Sequence, residues 1–237
     1  RSDRMKEAER CLLASVARAV LSGDRGELAN QLDRPSPEPR WPDALTPSRE
    51  AGTLIVPSET GAPGVPGVEI PSLALANGLG GFADGGRDYV IVLDGDQETP
   101  LPWANVIANP MIGTIVTASG SAYTWAENSR ENRLTPFAND PISDPTGEAV
   151  FIRDDESGEV WTQTPGPLRR TRASGRFVIR HSAGVSRFTH ARDGILQDLT
   201  VFVAPEEPVK ISLLTLTNTS NQPRRLSVFA YNEWCLG

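Results

Sequence analysis

At 237 residues the chain is long for one domain and short for two, and it can bury a substantial core without disulfide support. Its net charge of −7 excludes a general nucleic-acid binder, which needs a basic face. With 38% hydrophobic and 22% charged residues the composition is that of a globular protein, and 21 glycines with 20 prolines favour turns and strands over helices. The two cysteines, Cys11 and Cys235, stand near opposite ends, which argues for a reducing compartment and against a disulfide framework. The two histidines, His181 and His190, fall in strand-like segments, and no CxxC or HExxH is present, so neither a metal nor a cofactor is expected. No run of 18 apolar residues and no signal-peptide core occurs, and a cytoplasmic protein is expected. A start at Arg1 rather than methionine reads as a piece of something longer.

Residues 4–22 predict an amphipathic helix, with Leu12, Leu13, Val16, Val20 and Leu21 on one face and Ser22-Gly23 ending it. A short helix follows over 27–32, and residues 1–34 together read as a helical connector. Residues 35–67 read as a linker, because prolines and glycines recur too often for a packed element. From residue 68 to 237 the pattern is β. Short apolar runs at 73–76, 89–93, 114–117, 149–153, 160–162, 177–181, 195–203, 211–217 and 226–234 are punctuated by turn residues. Asp154–Gly158 and Asn218–Pro223 are both predicted as hairpin loops. Along 195–203 the odd positions are apolar except Gln197. Evenly spaced strands without a βαβ pattern predict a mainly β fold, a large antiparallel β-sandwich preceded by a helix and a linker.

The glycine-rich run 77–86 lacks the strand–GxGxxG–helix context of a nucleotide loop and predicts a tight turn with close backbone approach. The carboxylate pairs Glu127/Glu131 and Asp140/Asp144 invite a glycosidase reading, but proximity in a loop does not place two carboxyls across a bond. No GxSxG marks a serine nucleophile. The densest polar stretch is SAYTWAENSRENRLTPFAND, residues 121–140. Tyr123, Trp125, Asn128, Arg130, Glu131, Asn132, Arg133, Asn139 and Asp140 are the candidate substrate-binding residues. Amides and guanidinium groups hydrogen-bond hydroxyls, and aromatic rings give a flat apolar face, which suits a sugar. The same groups suit a phosphate, and a solvated loop closed on its own hydrogen bonds is the plain alternative.

The runs NGLGGFADGGRDYVI, TPLPWANVIANPMIG, SAYTWAENSRENRLTPFANDPISDPTGEAVFIRD, GEVWTQTP and PVKISLLTLTNTSNQPRRLSVFAYNEWCLG resemble the N-terminal region of glycoside hydrolase family 94, the inverting β-glucan phosphorylases. The likeness is greatest to the C-terminal, phosphorylase-like part of cyclic β-1,2-glucan synthases, and LLASVARAVLSGDRGELANQL is similar to the connector preceding that part. The resemblance implies a galactose mutarotase-like supersandwich followed by an (α/α)₆ barrel. The barrel supplies the general acid, and inorganic phosphate, the co-substrate, is the nucleophile. It further implies that no catalytic residue lies in this chain, that the sandwich is incomplete and inactive alone, and that its partners are a β-glucan oligosaccharide and the parent's barrel. A homodimer and a parent anchored in the bacterial inner membrane by segments outside this chain both stay open. The alternatives are a free-standing β-1,2-oligoglucan phosphorylase, a non-catalytic carbohydrate-binding domain and a structural docking domain.

Overall fold

A computed structural model describes residues 68–235 apart from Arg169, together with Gly26, Glu27, Ala29 and Gln31. The predicted helix over 4–22, Cys11 and the linker 35–67 lie outside the described residues. Within the predicted 27–32 helix, Ala29 and Gln31 are helical and the Gln31 N–H donates to Glu27 O at 3.3 Å. No helix among the described residues is long and apolar enough to cross a membrane.

Twelve strands follow in order: β1 (Gly80–Ala83), β2 (Asp88–Asp94), β3 (Ala104–Ala108), β4 (Ile112–Thr117), β5 (Ala122–Ala126), β6 (Glu148–Asp154), β7 (Val160–Thr162), β8 (Arg176–Ser182), β9 (Val185–Arg192), β10 (Ile195–Val203), β11 (Lys210–Asn218) and β12 (Leu226–Asn232). They form a large six-stranded sheet, β1-β2-β8-β9-β10-β11, and two three-stranded sheets, β3-β4-β5 and β12-β6-β7. Every pairing is antiparallel. The mainly β, antiparallel sandwich expected from the sequence is the fold.

Alternation builds the core. Ile91, Leu93, Phe177, Ile179, Phe188, Leu199, Val201 and Val203 of the large sheet pack against Ile107, Ile112, Val116 and Ala118 of the β3–β5 region. A smaller cluster of Ala83, Val90 and Val178, with Val68 and Leu73 over it, covers the other face. Gln197, the polar break in β10, is fully buried and accepts from Trp161 Nε1 of β7 at 3.0 Å, which satisfies the carbonyl that burial would otherwise orphan. Asn105 of β3 donates to Ser182 O at 2.8 Å, and Asn109 donates to Ala204 O at 2.9 Å, tying the front sheet to turns of the large one.

Several sequence expectations change. The 73–76 run makes only a single bridge, Ala74 to Phe82. Part of the predicted glycine turn, Gly80–Ala83, is strand β1, where a Cβ on Gly80 would meet Val90 O at 2.4 Å and one on Gly81 would meet Ala74 O at 2.9 Å. The close approach is thus between strands. Asp154–Gly158 is a hairpin, with Asp154 Oδ1 accepting the Glu156 N–H at 2.8 Å. Asn218–Pro223 is not. β11 pairs with β10 whereas β12 pairs with β6, so this segment crosses between sheets. Its neighbour Arg224 pairs with the buried Asp154, and that contact, which no local pattern announces, fixes the crossover.

One buried ion pair joins all three sheets. Lys210 at the start of β11 reaches Glu148 at the start of β6, with the two side chains 14% and 13% exposed. Lys210 Nζ also donates to Thr114 Oγ1 of β4 at 3.1 Å and to Thr124 Oγ1 of β5 at 3.2 Å. Glu148 Oε1 accepts from Thr124 Oγ1 at 2.5 Å and from Thr135 Oγ1 at 2.7 Å. Burial pushes the Glu148 carboxyl up, but the charge and hydrogen bond of Lys210, with the two threonine hydroxyls, hold it below its ordinary value. The pair lies on the wall of a cavity of about 460 Å³ that Leu134, Tyr231 and Trp234 also line.

Lys210→Met leaves Glu148 buried without its counter-charge and is expected to cost roughly 3–5 kcal/mol in denaturant unfolding, with the Glu148→Gln, Lys210→Met double variant recovering part of the loss. A cost below about 1 kcal/mol for the single variant refutes the linchpin role. The histidines give a separate pH dependence. Burial lowers His181 and His190 from 6.5 to about 4. The unfolded chain therefore binds protons between those values that the fold does not. Their stabilisation is complete above pH 6.5 and is lost as pH falls toward 4, about 3 kcal/mol for each histidine over the window. The melting temperature should drop between pH 7 and pH 5, and less so in His190→Gln; an unchanged melting temperature contradicts the burial argument.

Candidate functional site

The polar stretch 121–140 begins as strand β5 and turns back along it. Trp125 bridges Arg133. The Ala126 N–H donates to Asn132 O at 2.9 Å, and the Leu134 N–H donates to Thr124 O at 2.8 Å. Between these rungs the tip closes on Asn128, whose Oδ1 accepts the Arg130 and Glu131 N–H groups at 2.9 and 3.0 Å. Glu127 takes the left-handed conformation, φ 57°, that reverses the chain. The backbone of the tip is thus tied mainly within the loop, while the Glu127 N–H donates to Met111 O at 2.8 Å and anchors the loop to the turn before β4.

Side-chain alternation on β5 divides the stretch. Thr124 points inward to the Glu148–Lys210 pair, while Tyr123 and Trp125 point to the other face. There the rings form a ladder. Trp125 and Tyr123 lie 5.2 Å apart, and Tyr123 stacks on Phe137 at 4.5 Å with 22° between planes. The Arg133 guanidinium stands 6.0 Å above Phe137. The ladder rests on Gly113 of β4, where a Cβ would lie 2.2 Å from the Trp125 ring. Only glycine lets the indole lie flat against the sheet.

The predicted site residues fall into two places. Asn128, Arg130, Glu131, Asn132 and Arg133 are exposed at the tip, with Arg130 and Glu131 paired at 3.3 Å and 86% and 70% exposed. Such a pair adds little stability, so both charges are available to something outside the loop. Tyr123, Asn139 and Asp140 instead line a groove beside the ladder. Asp140 caps the turn that follows, its Oδ2 accepting from Ser143 Oγ at 2.5 Å. That hydrogen bond, with the Ile142 and Ser143 N–H groups, holds its carboxyl below the usual carboxylate range. A carboxyl tuned in that direction is unsuited to donating a proton as a general acid. Its proposed mate, Asp144, accepts from Thr117 Oγ1 at 2.7 Å and Ser119 Oγ at 2.6 Å. Phe137, Ile115 and Leu101 complete the groove. Phe137 was legible as an aromatic within the stretch, whereas Leu101 and Ile115 reach it only through sheet pairing and carry no local signal.

Known proteins resemble this chain in sequence. The sequence model described as Glycosyl hydrolase 94, supersandwich domain, matches residues 87–237. The chain belongs to the glycosyl hydrolase 94 family. It is 36% identical over its full length to the cyclic beta-(1,2)-glucan synthase NdvB of Rhizobium meliloti (strain 1021), of which it spans 8%. It is 29% identical to the N,N'-diacetylchitobiose phosphorylase of Vibrio furnissii, over 65% of this chain and 19% of that protein. It is 31% identical to the solabiose phosphorylase of Paenibacillus borealis, over 67% of this chain and 20% of that protein. The chain therefore spans a fifth or less of the length of these relatives.

Gly113→Ala should displace the Trp125 indole and cost roughly 1–3 kcal/mol through overpacking. Thermal melting read beside tryptophan fluorescence tests this; an unshifted emission with unchanged melting would show that the ladder does not depend on the glycine.

Proposed function

We propose that this supersandwich domain serves a β-1,2-glucan-active parent, in which it supports and lines the glucan cleft of an (α/α)₆ catalytic barrel. The observation that carries the reading is the tip 128–133. Its backbone is closed on itself, yet it holds out two arginines, two asparagines and a glutamate, all exposed. A loop that only connects strands has no use for that many charge-assisted donors. In the parent's reaction inorganic phosphate attacks the glycosidic carbon, and one carboxylic acid, from the barrel, protonates the leaving oxygen. The domain supplies no acid to this step. Its arginines orient sugar hydroxyls and offset phosphate charge at the cleft rim.

The synthase-type parent is favoured over a free-standing phosphorylase because likeness to NdvB runs through residues 1–67 as well, whereas the phosphorylases match 65–67% of the chain. A docking role for part of the surface has its own support. Phe229 and Tyr231, on one face of β12, are each 49% exposed, and Trp234 just beyond the strand is 61% exposed. Exposed rings of this kind suit packing against a neighbouring domain.

In the full-length parent, Arg130→Ala and Arg133→Ala should lower kcat/KM about ten- to a hundredfold, the worth of a charge-assisted bond of roughly 1.5–3 kcal/mol. Exposed as they are, both should shift folding stability by less than about 0.5 kcal/mol. Phosphorolysis kinetics beside thermal melting on the same variants separate the readings. Unchanged kinetics would sink the cleft reading, and a parallel loss of stability would favour docking.

A further inference from the structure

The two arginines of the tip are held differently. Arg130 pairs with Glu131 at 3.3 Å on the open tip. Arg133 lies where the loop turns back along β5, its backbone bridged to Trp125 and followed by Leu134, whose N–H donates to Thr124 O at 2.8 Å. Its guanidinium stands 6.0 Å from the centre of the Phe137 ring. Phe137 is stacked on Tyr123 at 4.5 Å, and Tyr123 lies 5.2 Å from Trp125. Thr135, 1% exposed between Arg133 and Phe137, donates to Glu148 and pins the segment that carries both. Arg133 Nε reaches Ser129 O at 3.4 Å, and its Nη groups have neither a carboxylate nor another acceptor among the described residues.

We infer that Phe137, braced by Tyr123, is a positioning residue for Arg133, presetting its guanidinium for acceptor oxygens of the ligand at the cleft rim. The inference rests on the cleft role of the tip proposed above and deepens it by naming the side chain that sets one of its arginines. An unheld arginine samples many rotamers in water, and fixing it when a ligand arrives costs entropy. A guanidinium attracted to an aromatic ring has lost part of that freedom beforehand. A carboxylate partner would hold the cation more firmly, but it would occupy the N–H fork and offset the charge. The ring does neither, so Arg133 keeps its charge and its Nη donors while it is held. Leucine at 137 has similar bulk but no π-face, so the inference concerns the ring and not the volume. Tyr123 acts one step further back, because its stacking fixes the plane that Phe137 presents. Arg130 shares its charge with Glu131 and meets no ring among the described residues, so Phe137 has no hold on it.

The test is a double-mutant cycle in the full-length parent, with phosphorolysis kinetics read beside thermal melting. Phe137→Leu should lower kcat/KM about two- to fivefold, the size of an exposed cation–π contact, and Phe137→Tyr, which keeps the ring, should restore it. In an Arg133→Ala background Phe137→Leu should bring no further loss, whereas in an Arg130→Ala background its full loss should persist. A loss carried by the KM for glucan assigns Arg133 to sugar hydroxyls and one carried by the KM for phosphate assigns it to the anion; both agree with the inference. In the 237-residue chain the Arg133 Cδ protons should move downfield on Phe137→Leu, as the shielding of the ring is lost. Phe137→Met, equally without a ring, takes the place of the leucine variant if that one melts early. Three outcomes overturn the inference: equal losses in both arginine backgrounds, full activity of Phe137→Leu where Arg133→Ala is impaired, or unmoved Arg133 resonances. Unimpaired kinetics of Arg133→Ala remove instead the cleft reading itself, and with it the site that Phe137 would serve.

Discussion

The Glu148–Lys210 pair is the contact on which the rest of the structure depends. Each sheet contributes to it, Lys210 from the large sheet, Glu148 from β6, and Thr114 and Thr124 from β4 and β5. Two largely buried charges are tolerated only when both are paired and their remaining hydrogen-bonding capacity is met. The threonine hydroxyls meet it. Apolar residues of the same shape would give comparable stability, so the pair's contribution lies in geometry. An ammonium and a carboxylate accept few arrangements, whereas leucines would let the sheets slide over one another.

The same strand carries that constraint outward. Along β5 the period of two turns Thr124 in and Tyr123 and Trp125 out, so whatever fixes the threonine fixes the aromatic ladder. Thr135 repeats the device on the returning segment, accepting the Thr124 N–H at 2.8 Å and donating to Glu148. The tip at 128–133 is therefore a polar loop on a rigid mount. Rigid mounting matters for binding, because a loop already ordered loses little entropy when a ligand arrives. The chain spans 8% and 19% of two of the relatives it matches.

Much of this was legible in the sequence. Alternation along 195–203, turn residues between short apolar runs and the absence of a βαβ pattern determine an antiparallel β-sandwich, because the side-chain period of a strand is a local property. The density of amides, guanidinium groups and rings in 121–140 marks the polar tip for the same reason. Tertiary structure alone decided the pairings. Asn218–Pro223 has the composition of a hairpin loop but crosses between sheets, because Arg224 finds a buried carboxylate 70 residues away. Lys210 and Glu148 each stand beside an apolar run as ordinary strand-end charges, and nothing within a few residues says that they meet. Leu101 and Ile115 join Tyr123 and Phe137 only once β3, β4 and β5 are in register. Local patterns fix which way a side chain points; which other chain segment it then meets depends on long-range contacts whose energies no short window of sequence contains.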